Sequence, residues 1–388
     1  MKLLTDLDCL APPLTGIGHY TRELTQRLMF DHAIDDVSAM FHGRFVNRES
    51  VQQLLLDAEA PSGVHPDDVL SRLKPFVRQL PFARWAWQRV KAQRFQSHSR
   101  SQAHDVYWEP NFILKPSHCP SVVTIYDLSP LALPELHPKS RIALLRRALQ
   151  KSVQHAERVV TISHFTSHAL QEHLNVPADK IRLVPPAAGA AFQPYDSVDQ
   201  LAIRERYSLP EHFILSVGTL EPRKNLSRLL SAYEQLPDAL RQAWPLVCVG
   251  AKGWNDTLLS ADIARLEARG ELIRLGYVPQ KDLPVLTASA GLMAYMSFYE
   301  GFGMPVVESL ACGVPVLTSF NTVMEEVAEG CAFYADPMSV SSITSALEIA
   351  LTDSSKRDLY RQAGPTQAAK FNWQHSASAL YQTLAEVI

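Results

Sequence analysis

No run of apolar residues in this 388-residue sequence approaches the ~18 that a membrane-crossing helix needs. Cysteine is sparse. Cys9, Cys119, Cys248, Cys312 and Cys331 are odd in number and form no C-x-x-C, so they read as small buried thiols of a reducing compartment. The opening M-K-L-L-T-D-L-D puts acids where a signal peptide needs its apolar stretch, and a cytoplasmic location is expected. Charge of one sign is also lacking: 37 Lys and Arg face 40 Asp and Glu, a net of −3. That balance gives no expectation of a nucleic-acid partner. Repeats of fixed period and low-complexity tracts are missing. What remains is ordinary globular composition, 46% apolar and 20% charged, which excludes disorder and suits two domains at roughly 100–200 residues each.

The balanced total hides an asymmetry. Residues 1–190 hold 22 basic and 18 acidic side chains, and residues 191–388 hold 15 and 22. One stretch, 70–104, carries Arg72, Lys74, Arg78, Arg84, Arg89, Lys91, Arg94 and Arg100 with no acid. Phe76, Phe82, Trp85, Trp87 and Phe95 are interleaved. Such a segment can seat on an anionic membrane, or it can be a solvated face whose aromatics pack inward.

Strand-like runs alternate with helix-like ones. Lys2–Asp6, Val37–His42, Val106–Trp108, Val122–Tyr126, Val159–Ile162 and Ile181–Val184 read as strands, with helices over about 19–30, 50–58, 68–100, 139–155 and 164–174. Pro185, Pro186 and Pro194 frame the small-residue stretch A-A-G-A-A. The pattern then restarts, with strands at Phe213–Val217, Leu246–Val249, Leu272–Leu275, Gly291–Tyr295, Val314–Thr318 and Ala332–Tyr334. This order predicts two doubly wound, Rossmann-like parallel α/β domains. The expected division is 1–190, a linker over 191–210, and 211–388. Ligands of such sheets bind beyond the carboxyl ends of the strands, so the loops there should carry the chemistry.

Three of those loops stand out. Gly16-Ile17-Gly18 follows the first strand and opens a helix, where unpaired N–H groups favour an anion; Thr21 breaks the full dinucleotide fingerprint. In V-G-T-L-E-P-R-K-N (217–225), a strand ends at Gly218 and two cations, Arg223 and Lys224, precede a helix. Arg can fork onto phosphate oxygens and Lys offers a point charge, which fits a diphosphate clamp. In E-G-F-G-M-P-V-V-E (300–308), two carboxylates flank glycines and a proline suited to a first helical turn. Glu300 and Glu308 could therefore accept hydroxyl groups at the two ends of an extended ligand.

Together with T-G-I-G-H-Y-T (15–21) and Y-D-L-S-P (126–130), these motifs resemble the retaining glycosyltransferases of family 4, which have the two-domain GT-B architecture facing a cleft. The E-P-R-K-N form is similar to bacterial mannosyl- and rhamnosyltransferases of O-antigen and other surface polysaccharides. The resemblance implies that Arg223 and Lys224, near Gly218, hold the donor diphosphate and that Glu308 binds the ribose. Glu300 would meet the transferred sugar, assisted by the amides of Phe302 and Gly303. Gly16 and Gly18 would let the first domain's backbone approach the phosphates, with Asp127 on that domain's side of the cleft. The family commonly places His before that Asp; Tyr126 stands here.

The implied donor is a GDP-sugar, with mannose or rhamnose transferred to a growing, lipid-linked saccharide, and the last helix could cross back to the first domain. No cofactor or metal is expected, because two fixed cations can neutralise the diphosphate. Asp6-Leu7-Asp8 spells a D-x-D, but on the first strand; His164 and His168, one turn apart, lack a completing ligand. The alternatives are a sugar-nucleotide epimerase or phosphorylase of the same architecture, or a non-catalytic glycosyltransferase-like subunit.

Overall fold

The computed structural model describes all residues except 13, 31–33, 58–80, 137–138, 220 and 251–256, and it leaves out the side chains of 57, 81–88, 136, 139–141 and 257–259. It contains two sheets. The first comprises β1 (Lys2–Asp6), β2 (Asp36–Phe41), β3 (Arg44–Val46), β4 (Val106–Glu109), β5 (Ser121–Ile125), β6 (Arg158–Thr161) and β7 (Ile181–Leu183), in the order β3-β2-β1-β4-β5-β6-β7. The second comprises β8 (Ile214–Val217), β9 (Leu246–Val249), β10 (Leu272–Gly276), β11 (Leu292–Tyr295), β12 (Val316–Ser319) and β13 (Phe333–Ala335), in the order β10-β9-β8-β11-β12-β13. The described pairings are parallel except β2 with β3. Helices cover the faces, so β4, β5, β9, β11 and β12 are buried along their whole length. Continuous apolar runs rather than alternation are the consequence in sequence.

The expected doubly wound, two-domain α/β architecture is therefore what the chain adopts. In each sheet the strand order reverses once, at β1/β4 and at β8/β11. Chain leaving these strands turns to opposite sides and opens a crevice. The G-I-G loop follows β1, the R-K-N loop follows β8 and Glu300 follows β11, so topology sets these three loops at the crevices.

Three local features differ from the sequence expectation. β3 is a short antiparallel edge strand reached through a tight turn, in which His42 and Gly43 have φ of 51° and 79°. The helix opening at the first glycine loop begins at Gly16 rather than His19. Within 191–210 lies a helix, Ser197–Arg206, capped by Asp196 and tied to the second sheet's side by Arg206 and Tyr207, which both bind Asp282. The last helix, Trp373–Ala385, packs on Gly16–Phe30. Ser376 donates to the Pro185 carbonyl (2.5 Å), and Glu386 pairs with Arg158 and Arg182.

The basic aromatic stretch is only partly visible. Residues 70–80 and the side chains of Arg84, Trp85 and Trp87 fall outside the described residues. Further along the helix Pro81–Ser101, Phe95 is fully buried against Leu4, Met40 and Tyr107, and Lys91 pairs with Asp8. These two side chains serve the domain's interior and its own ion pair, while Arg89 and Val90 are exposed.

Candidate functional site

A cavity of about 760 Å³ lies between the two sheets. From the second domain it is lined by Gly218, Arg223, Lys224, Glu300, Phe302, Gly303 and Glu308, and from the first by Gly16 and Asp127. Gly18 is not among the lining residues. It is buried, and a side chain there would meet the Cys9 carbonyl oxygen at 2.6 Å, so this glycine answers to packing under the loop. Gly16 has open space around it.

The cations are presented by a short 3-10 turn, Pro222–Lys224, rather than by the first turn of the helix Leu226–Glu234. Asn225 joins the two in the left-handed region (φ 58°), which Asn tolerates better than most residues. Its side chain donates to the Pro337 carbonyl at 2.7 Å and is 1% exposed. The turn thereby aims both cations at one carboxylate. Arg223 Nη1 lies 2.7 Å from Glu300 Oε2, and Lys224 Nζ lies 2.5 Å from Glu300 Oε1. Tyr295, at the end of β11, completes the group: its hydroxyl is 2.6 Å from Lys224 Nζ and 3.0 Å from Glu300 Oε1. Glu221 holds the Arg223 Nε at 3.1 Å.

Burial alone would push the Glu300 carboxyl up, but Lys224 and Arg223 hold it down to about 2. Burial likewise opposes charge on Lys224, and Glu300 and Tyr295 more than compensate, so its ammonium is held above the ordinary value. Both cations are thus fixed, charged and prearranged before any ligand arrives. Glu308 is the contrast. It sits in the helix Met304–Ala311, with Pro305 in the first turn as expected. Burial pushes its carboxyl up to about 8, with no cation to offset it. A hydroxyl-bearing ligand can supply hydrogen bonds that this carboxyl group does not make among the described residues.

Two glycines are dictated by close approach. A side chain at Gly301 would overlap the Tyr126 carbonyl of the first domain, and one at Gly303 (φ 102°) would run into the Met324 side chain. The amides of Phe302 and Gly303 reach no backbone acceptor among the described residues. Asp127 stands two residues beyond β5, with Oδ1 taking the Ser129 amide and hydroxyl, both at 2.9 Å. Tyr126 also lines the cavity, but its hydroxyl is committed elsewhere: it donates to the Pro110 carbonyl at 2.7 Å, and the ring packs edge-on to Tyr20.

The decoys have other work. Asp6 pairs with Lys115 at 2.9 Å, and Asp8 with Lys91 and the His42 amide. His164, His168 and His173 are exposed along one helix. Among the described residues, no three His, Cys, Asp or Glu side chains gather as a metal set.

Residues 14–188 match the family described as Glycosyltransferase Family 4, and residues 199–367 match Glycosyl transferases group 1. Over 97% of both chains, the sequence is 34% identical to the O-antigen chain mannosyltransferase B of Escherichia coli. The chain is a family 4 glycosyltransferase. The solved structure of Anabaena HepE in complex with UDP and glucose aligns over 100% of both chains with a TM-score of 0.72 and 17% identity. WaaG, a glycosyltransferase involved in lipopolysaccharide biosynthesis, aligns over 99% of both at 0.72 and 17%. At such identities these two likenesses speak for the fold.

The glycosyltransferase cavity also has walls that the motifs did not announce. Arg22 and Glu23 line it from the first helix beside His19 of the T-G-I-G-H-Y-T motif, and Trp373 from the last. His19 and Arg22 follow the G-I-G loop at i+3 and i+6 from Gly16, one helical face, a signal available in the sequence. Tyr295 and Trp373 carried none, since each is an apolar-run or cap-adjacent aromatic of the common kind.

Proposed function

We propose that this glycosyltransferase moves a mannosyl residue from GDP-mannose to a growing saccharide on a lipid carrier, with retention and without a metal; GDP-rhamnose is the second candidate donor. The observation that carries the reading is the buried Arg223–Glu300–Lys224 group facing a cavity shared by both domains. Departure of the nucleoside diphosphate concentrates negative charge on phosphate oxygens, and fixed cations stabilise that charge without reorganising. Glu308 accepts the ribose hydroxyls, Glu300 the transferred sugar, and Asp127 faces the sugar from the first domain. The choice of mannose rests on the name and 34% identity of the Escherichia coli relative. Residues 1–190 form the acceptor side and 211–388 the donor side. Asp127 accepts from Ser129, and Glu23, the other first-domain carboxylate of the cavity wall, is paired with Arg22 and Arg27, so front-face displacement assisted by the leaving phosphate is favoured over a covalent intermediate.

The purified protein is expected to release GDP from GDP-mannose only when a lipid-linked saccharide is present, and to do so in EDTA. Abolition by EDTA with rescue by manganese would overturn the metal-free reading. Conversion of the donor without acceptor would favour an epimerase, and no turnover with any nucleotide sugar a partner subunit.

We also infer peripheral seating on an anionic membrane through residues 70–100, because a lipid-linked acceptor is confined to a surface. Polybasic segments gain about 1 kcal/mol per Lys or Arg there. Vesicles containing anionic lipid should sediment the protein at low salt and lose it at high salt. Indifference to such vesicles at low salt would end this idea.

A further inference from the structure

The two domains meet beside Glu300 through a contact that extends to residues outside the cavity wall. The helix His164–Leu174 belongs to the first domain, and Ser163 caps it by accepting the Thr166 amide. Its first two amides do not wait for solvent. His164 N and Phe165 N donate to the two oxygens of one carboxylate, Glu326, at 2.8 and 3.0 Å. Glu326 lies on the helix Val323–Ala328 of the second domain. A carboxylate at a helix N-terminus is favoured by the helix dipole, and hydrogen bonds to an ionised acceptor are the stronger kind.

The same helix start grips the segment that carries Glu300. Ser163 Oγ donates to the Gly301 carbonyl at 2.7 Å, and the Phe165 ring stands edge-on to Tyr299 with centroids 5.3 Å apart. Glu326 thus docks a first-domain helix whose start holds both neighbours of Glu300, Gly301 through Ser163 and Tyr299 through Phe165. Glu326 itself is not among the cavity-lining residues.

We propose that Glu326 is a positioning residue for glycosyl transfer: by docking the helix start at 164–165 onto the second domain, it lets Ser163 and Phe165 fix the 299–301 segment and set Glu300 opposite Asp127. The inference rests on the transfer reaction proposed above. The donor's nucleotide is held by second-domain residues, so its binding does not need the latch. Chemistry does, because misplacement by about 1 Å from a change far from the reacting atoms can cost 10²-fold.

The test compares wild-type protein with Glu326→Gln, Glu326→Ala and Ser163→Ala, using GDP as the binding probe. Expected for Glu326→Ala are a kcat lower by about 10- to 100-fold, GDP affinity held or raised because a displaced Glu300 competes less for Arg223 and Lys224, and faster hydrogen exchange at the amides of residues 164–165 and 299–301. Glu326→Gln should fall between, since it keeps one acceptor oxygen, and it replaces the alanine variant if that fails to fold. Unchanged kcat and exchange would overturn the proposal. So would a fall in kcat matched by equal falls in GDP affinity and melting temperature, which marks a merely structural role. Exchange at 164–165 is read without any sugar donor. A wrong choice of donor therefore silences wild-type turnover, whereas a wrong latch leaves exchange unmoved.

Discussion

Lys224→Ala is expected to weaken GDP binding about 10- to 100-fold and to lower turnover at least as much, in a protein that still folds. The size follows from the type of bond: a hydrogen bond to a charged group contributes about 1.5–3 kcal/mol, and every 1.4 kcal/mol is about tenfold. In the free protein the ammonium sits between the Tyr295 hydroxyl and Glu300. Alanine removes it, but Arg223 remains 2.7 Å from the same carboxylate, so Glu300 keeps one counter-charge and the turn keeps its Asn225 anchor. Calorimetric titration with GDP, steady-state rates and a thermal melt measure the three consequences separately. Wild-type kinetics in a folded variant would remove Lys224 from the donor site.

Glu300→Gln should do something less intuitive. Turnover is expected to fall by about 10²–10³-fold, the range seen when one preorganised polar contact to a transition state is lost. GDP affinity should hold or rise. Glu300 neutralises Arg223 and Lys224, and on the proposed reading the donor diphosphate would compete for the same cations. Glutamine keeps the shape and removes the competitor. Acid stability gives an independent reading. In the folded protein the Glu300 carboxyl is held at about 2, below its ordinary 4.5. Its contribution to stability is present above pH 4.5 and is lost as pH falls from there towards 2. The glutamine variant should be less stable at neutral pH and lose less over that acid window. Equal losses of GDP affinity and turnover would contradict the exchange of counter-ions.

The fold was legible because parallel strands buried on both faces leave short continuous apolar runs, and the restart after Pro194 marks a second sheet. β3 escaped because three residues make no pattern; its cue was the His42–Gly43 pair in left-handed conformation. The helix at 197–206 has local signals, Asp196 before it and Arg204 and Arg206 in its last turn, within the stretch expected to be linker. At the site, Arg223, Lys224, Glu300 and Glu308 could be read because each motif is contiguous and each side chain carries formal charge. The reason Glu300 is so acidic could not be read, since the R-K pair and Glu300 are joined only when β8 and β11 pair as neighbours. The Glu326 contact with His164 is likewise long-range, and a glutamate in an exposed-looking helix announces nothing. The two glycines of the first loop looked alike in sequence, and only packing separates them: Gly16 at the cavity, Gly18 beneath it.

A crystal structure with GDP bound tests the central claim most directly. The account predicts the diphosphate oxygens within hydrogen-bond distance of Arg223 and Lys224, the ribose hydroxyls on Glu308, and at least one cation–Glu300 bond lengthened or exchanged. GDP seated elsewhere, with Arg223 and Lys224 still bound to Glu300 as they are in the free protein, would contradict it.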